Sequence, residues 1–187
     1  MTTLSIYHDS ANDDPQHIRE FDIIASTLEA AGILIEKWDA SKTLKDDAQQ
    51  DEILDVYRDS IEKLNEKYHF KSVDVVSLQP DNPKRNEMRK MFLEEHIHSD
   101  LEIRFFVDGS GLFYLHINDK VYCVLCEKND LISVPANTTH WFDMGSAPNF
   151  KAIRLFTTDE GWVAKFTGNN IAKRFPDFDS YLEIIHS

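Results

Sequence analysis

From Met91 onward the chain is a succession of short β-like runs separated by turn signals: IRFFV, DGSG, LFYLHI, NDK, VYCVLCE, KND, LISVPA and then FKAIRLF. Runs this short, rich in β-branched and aromatic residues and closed by Gly, Pro, Asn or Asp, predict a meander of antiparallel strands, the pattern of a sandwich or barrel. NDK at 118–120 reads as a hairpin turn. The first half has a different texture. Residues 2–8 read as a strand. Asp14-Pro15 predicts a helix start, with Ile18, Phe21, Ile24, Ala25, Leu28 and Ala31 at helical spacing and Gly32 closing it. A second helix is predicted over 47–68, its buried stripe marked by Ile53, Tyr57, Ile61, Leu64 and Tyr68, followed by a strand at 72–79. Helical character returns near Asn169–Phe175, and Pro176 ends it. The expectation is one mainly β domain over residues 1–187: a helical part at 1–71 packed on a barrel, with barrel and C-terminal segment at 72–187.

The formal net charge is −13, from 33 acidic and 20 basic side chains. That field argues against nucleic acid and anionic membrane surfaces as partners and favours a monomer. No stretch reaches the length of a membrane span, and MTTLSIYHDS lacks the basic region and apolar run of a signal peptide, so a cytoplasmic protein is expected. The two cysteines form C-x-x-C in VYCVLCEK. On a strand an offset of three places them on opposite faces, and no second pair completes a zinc site. They are expected as reduced thiols.

The chemistry concentrates in EEHIHSDLEIRFFV, residues 94–107. His96, His98, Glu102 and Arg104 are all even-numbered and share one face of a strand, whereas Ile97, Leu101, Ile103, Phe105 and Val107 point the other way. Two imidazoles and a carboxylate on one face suit a divalent first-row metal. A fourth ligand is best supplied by His140, where LISVPANTTHW brings a strand through a Pro-Ala-Asn turn and back over the barrel. His8, His17, His69, His116 and His186 read as structural.

H-x-H-x-x-x-E followed by six residues and Gly109 resembles the first motif of the cupins, and P-A-N-x-x-H at 135–140 resembles the second. Asn137 stands where most cupins have glycine, and asparagine tolerates the left-handed backbone required there. Lys90, Asn129 and Met144 likewise replace the Gly, Gly and Asn of those motifs. In finer detail the tract from Glu94 to Gly145, with AIRLF and EGWVAKFTG downstream, resembles the acireductone dioxygenases, strongly from Val73 to Phe175 and weakly in the N-terminal helices. The resemblance implies a double-stranded β-helix (jelly-roll) barrel and one ion per chain, Fe2+ or alternatively Ni2+, held by His96, His98, Glu102 and His140 with two positions open. It implies a small-molecule acireductone and O2 as substrates, and Arg104 as the residue that holds the acireductone as its dianion. Phe92, Phe105, Phe142, Arg154 and Trp162 are candidates for substrate contact. Glu95 is a candidate aid to metal loading, its plainer reading being a solvated acid. Leu101 stands where many relatives carry an acidic residue. Two other readings compete: a non-catalytic cupin that binds a small ligand, and a cupin sugar-phosphate isomerase. The four-ligand set with Arg104 argues against the first, and the scarcity of basic residues in the barrel against the second.

Overall fold

The computed structural model describes residues 1–11 and 14–187. In chain order the elements are β1 (Thr3–His8), β2 (Gln16–Ile18), α1 (Phe21–Ala30), β3 (Leu34–Lys37), α2 (Gln50–Val56), α3 (Arg58–Tyr68), β4 (Ser72–Leu78), α4 (Arg85–Phe92), β5 (His96–Ile97), β6 (Glu102–Ile117), β7 (Lys120–Glu127), β8 (Asp130–Val134), β9 (Thr139–Asp143), β10 (Phe150–Phe156), β11 (Lys165–Phe166) and α5 (Phe178–His186). One antiparallel sheet runs β11-β5-β9-β6-β7-β1-β2, and the other runs β3-β8-β6-β10-β4. The two share β6, so the sheets face each other as the walls of a barrel.

The sharing depends on a stretch that the sequence reading took for a turn. DGSG does not end a strand. It sits inside β6, which runs for 16 residues. Gly109 adopts φ +65°, and a β-carbon there would lie 1.9 Å from the Asn149 carbonyl oxygen. Only glycine combines that backbone with that approach. Beside it the β10–β6 register slips between Lys151 and Ala152. The bulge bends β6 out of its ladder with β8 and β10 and into ladders with β7 and β9. It also reverses the parity: Glu102, Arg104 and Phe106 face inward before it, Phe113 and Leu115 after it.

Asparagine takes the left-handed backbone at the turns that join β6, β7, β8 and β9. Asn118, Asn129 and Asn137 have φ of 57°, 79° and 62°. The last two stand where the cupin motifs carry glycine, and the left-handed conformation expected of Asn137 is present.

Several boundaries differ from expectation. The 1–71 part is not simply helical: it adds β1 and β2 to one sheet and β3 to the other. α1 starts at Phe21, not near Pro15, because Ile18 pairs with Leu4 and gives its backbone groups to the open edge of β1. The helix predicted over 47–68 is two helices that meet at Tyr57. The Tyr57 hydroxyl donates to the carbonyls of Ala40 and Lys42, and its ring meets Phe105 edge-on at 5.7 Å. Those tertiary anchors override helical continuity. The expected tail helix is one short 3-10 turn at Ile171–Arg174, and Pro176 precedes a further helix, α5, capped by Asp177 accepting from Ser180 N.

Three apolar layers result. The barrel interior holds Phe106, Phe113, Phe142 and Phe150. Ile103, Phe105 and Val107 face outward under Tyr57 and Leu64, and Tyr114 and Trp141 face outward under Tyr181 and Ile185. Cys126 lies in the interior and Cys123 on the outer face toward α5, both buried and free. Titration of the unfolded, unreduced protein is therefore expected to find two thiols per chain. Fewer would mean a disulfide that this geometry forbids. No helix is long and apolar enough to cross a membrane among the described residues.

Candidate metal centre

His96 and His140 are cross-strand partners on β5 and β9, which sets their rings 4.4 Å apart. The single strand predicted from His96 onward is interrupted, since the chain leaves β5 after Ile97 and re-enters a ladder at Glu102. The PAN turn holds this excursion, with Asn137 N donating to the His98 carbonyl at 2.8 Å. The result is still convergence: the ligand nitrogens of His96, His98 and His140 all lie within 4.8 Å of one another. Glu102 Oε2 lies 3.6 Å from His98 Nε2 and 3.5 Å from His140 Nε2. All four side chains are buried.

The hydrogen bonds decide what the cluster can hold. His96 Nδ1 bonds the Glu94 carbonyl at 2.7 Å, His98 Nδ1 the Val163 carbonyl at 3.1 Å, and His140 Nδ1 the Thr138 carbonyl at 2.8 Å. A carbonyl only accepts, so each Nδ1 carries the proton and each Nε2 presents a lone pair inward. The lone pairs of His98 and His140 Nε2 thus face the carboxylate oxygen of Glu102 across 3.6 and 3.5 Å. His140 Nε2 and Glu102 Oε2 have no hydrogen-bond partner among the described residues. Lone pairs held together in a buried site repel unless a cation lies between them. Three oriented imidazoles and one carboxylate, with each outer nitrogen fixed by a carbonyl, fit a divalent transition ion.

The protonation states agree. Burial lowers His96 to about 4, reinforced by the neighbouring His140. Burial also lowers His98, although Glu102 opposes it. Burial alone would raise Glu102, but the Arg104 guanidinium holds it well below the usual carboxylate range. Neutral imidazoles beside an ionised carboxylate are the forms that bind metal. A pH dependence of the metal-free protein follows. The unfolded His96 titrates near 6.5 and the folded one near 4, so as pH falls between those values the unfolded state takes up a proton that the folded state refuses. The contribution is present above about 6.5 and lost by about 4, an effect on the order of 3 kcal/mol. Urea melts of metal-free protein at pH 7.5 and 4.5 should show the loss, and His96→Gln should reduce it. A variant that loses as much as wild type would contradict this reading of His96.

Arg104 is buried beside the cluster. Its Nη2 donates to Glu102 Oε1 at 2.6 Å, and its guanidinium lies 4.7 Å from the Phe113 ring centre, 4.6 Å from Phe142 and 5.8 Å from Phe92. Burial lowers its proton affinity while Glu102 sustains it, and a guanidinium stays charged throughout. Its Nε and Nη1 have no hydrogen-bond partner among the described residues. A buried cation with two donors unspent can receive an anion.

The structure brings Phe92 and Phe142 into this group, but not every candidate. Phe105 is misplaced by the expectation: as an odd residue before the bulge it faces outward, against Tyr57 and Trp38. Arg154 lies opposite Arg104 across β6–β10, and its guanidinium is committed to Asp74 in two bonds of 2.8 and 2.6 Å. Trp162 is 52% exposed on the segment before β11. Glu95 is not a solvated acid. It is buried, accepting from Thr167 Oγ1 at 2.6 Å and meeting His116 Nδ1 at 3.1 Å. Sequence reasoning missed Phe113, which stacks on Arg104, because the parity reversal at Gly109 was not foreseen. The 730 Å³ cavity against Glu95, Tyr114, Trp141 and Phe175 lies across the sheet from the histidines, with none of the four ligands in its wall.

Comparison with known proteins agrees with this geometry. Residues 3–164 match the model of the ARD/ARD' family. An acireductone dioxygenase of Methylococcus capsulatus is 54% identical over 183 residues, 98% of each chain, and one of Aquifex aeolicus is 50% identical over 184 residues, 96% of this chain and 97% of its own. The structure of a Bacillus anthracis acireductone dioxygenase with a cadmium ion in its active centre superposes with a TM-score of 0.79 at 32% identity, covering 89% of this chain and 98% of that one. The shared fold is the cupin barrel. With a family match along most of its length and relatives half identical from end to end, the chain belongs to the acireductone dioxygenase (ARD/ARD') family.

Proposed function

We propose that His96, His98 and His140, through Nε2, and Glu102, through Oε2, hold one Fe2+ ion, with Ni2+ as the alternative, and that the protein oxidises 1,2-dihydroxy-5-(methylthio)pent-1-en-3-one with O2. A divalent ion bound there supplies Lewis acidity and a template that gathers the reactants. The observation that carries the reading is the pairing of inward-facing Nε2 and Oε2 lone pairs with the two unspent donors of Arg104.

This chain's residues do the rest. Arg104 offers Nε and Nη1 to an enediolate oxygen, and its fixed charge favours the second deprotonation of the substrate. Glu102 holds the guanidinium in place through Nη2. The rings of Phe92, Phe113 and Phe142 exclude water from that contact, which strengthens it. The same rings offer an apolar wall to the methylthio tail. The reaction divides C6H10O3S and O2 into formate and 4-(methylthio)-2-oxobutanoate in the iron form. In the nickel form the products are formate, carbon monoxide and 3-(methylthio)propanoate.

The test is metal analysis of protein purified without added metal, followed by product identification after reconstitution with each ion. Iron at about one per chain with the 2-oxo acid as product supports the reading. Nickel with carbon monoxide selects the alternative. Stoichiometric metal without either product set overturns it.

A further inference from the structure

Two of the three histidines are oriented locally, the third remotely. His96 and His140 each bond the carbonyl two residues earlier in the chain, Glu94 and Thr138. His98 bonds the carbonyl of Val163, 65 residues away. Its orientation therefore depends on where the segment 157–167 is held.

That segment is fastened at both ends. After it crosses the site, Lys165 and Phe166 pair with Ile97 and His96, and Thr167 N donates to the Glu95 carbonyl at 3.0 Å. Before it crosses, the fastening is Asp100. This side chain is buried. Oδ1 accepts from Leu101 N at 2.8 Å and from Thr157 Oγ1, and Oδ2 accepts from Thr158 N at 2.8 Å and Thr158 Oγ1 at 3.1 Å. Gly161 lies so close that a β-carbon there would sit 2.4 Å from Asp100 Oδ2. Turns through Gly161 N to Thr158 O and Val163 N to Glu160 O carry the fixed point on to the Val163 carbonyl.

We propose that Asp100 is a positioning residue of the metal centre: it anchors the 157–163 segment so that the Val163 carbonyl holds His98 in its ligating tautomer and orientation. The proposal rests on the metal-site reading above. Leu101, beside Glu102, is apolar, and Asp100 provides the carboxylate of this loop. Outer partners of ligating histidines are worth about 10–100-fold in metal affinity, and Asp100 acts one contact further out, toward the lower end of that range.

The test uses Co2+ alone as the probe. Cobalt-loaded wild type should show three exchangeable proton resonances far outside the ordinary NMR range, one for each histidine Nδ1–H. Asp100→Asn keeps the shape of the side chain but sets a donor against Leu101 N or Thr158 N. In that variant one of the three protons is expected to exchange with solvent at least about 10-fold faster, with the other two unchanged and Co2+ affinity down about 10-fold. Thr157→Val, which removes one donor to Asp100 and leaves the carboxylate in place, should disturb the same resonance by less, and it keeps the proposal testable should Asp100→Asn fold poorly. Three unaltered resonances in both variants, or three that move together, overturn the positioning role. Fewer than three shifted resonances in the wild type overturn the metal-site reading itself, and this proposal with it.

Discussion

A His96→Ala/His98→Ala double variant is expected to fold and to lose its metal. The two side chains supply half of the proposed ligand set, and neither belongs to the three apolar layers that hold the barrel together. Even outer partners of metal ligands change affinity by about 10–100-fold each, so the loss of two ligands lowers it by a thousand-fold or more, on the order of 4 kcal/mol. Losing the two imidazoles relieves the crowding of inward lone pairs in the metal-free protein but leaves the Glu94 and Val163 carbonyls without their ring donors. The metal-free variant should therefore fold with stability near that of metal-free wild type, while its metal content falls to background and turnover with it. Elemental analysis and thermal melts of both proteins, with and without chelator, check this. Full metal content in the double variant would place the ion elsewhere.

The second large effect concerns Arg104. Loss of a charge-assisted contact to an anion costs about 1.5–3 kcal/mol, or roughly ten- to two-hundred-fold in rate, and more if the second deprotonation of the substrate fails. The sequence alone suggests that Arg104→Ala leaves folding untouched. The structure changes that expectation: the guanidinium is sandwiched by Phe92, Phe113 and Phe142 and holds Glu102 Oε1, so truncation to Ala opens a void and strips a buried carboxylate of its donor. Lower stability is expected with Ala. Arg104→Lys keeps charge and much of the volume but not the planar fork, and should recover only part of the rate. Turnover at matched metal content separates the two roles. A near-wild-type rate in the Ala variant would remove Arg104 from the chemistry, and a metal-free Ala variant would show that its main duty is to hold Glu102.

Strand parity made Glu102 and Arg104 legible, since even residues from Glu102 to Phe106 all face inward. His96 and His98 converge with them although the strand is interrupted after Ile97, and His140 was legible from its turn, not from parity. Beyond Phe106 parity failed for one reason. A bulge adds a residue without leaving a mark beyond a glycine, so DGSG read as a turn and Phe113 was not seen to join Arg104. Phe105 was proposed for the substrate although parity already placed it on the outer face, where the structure puts it against Tyr57. The helices suffered from long-range anchors. Nothing local in 47–68 says that the Tyr57 hydroxyl will bond Ala40 and Lys42 and break the helix, and nothing near Ile18 says that β1 leaves an edge for it. The burial of Asp100 and Glu95 was invisible in the same way, because their partners are Thr157, Thr158 and Thr167, far along the chain.

Turnover of an acireductone and O2 at the proposed metal centre can be followed directly. The most direct test is the ultraviolet decay of the acireductone with iron-reconstituted protein, under air and with O2 removed, beside His140→Ala treated identically. The proposed function predicts rapid loss under air with one formate formed per O2 consumed, no enzymic loss without O2, and background rates in the variant. Iron-loaded wild type that leaves the acireductone untouched under air would contradict it.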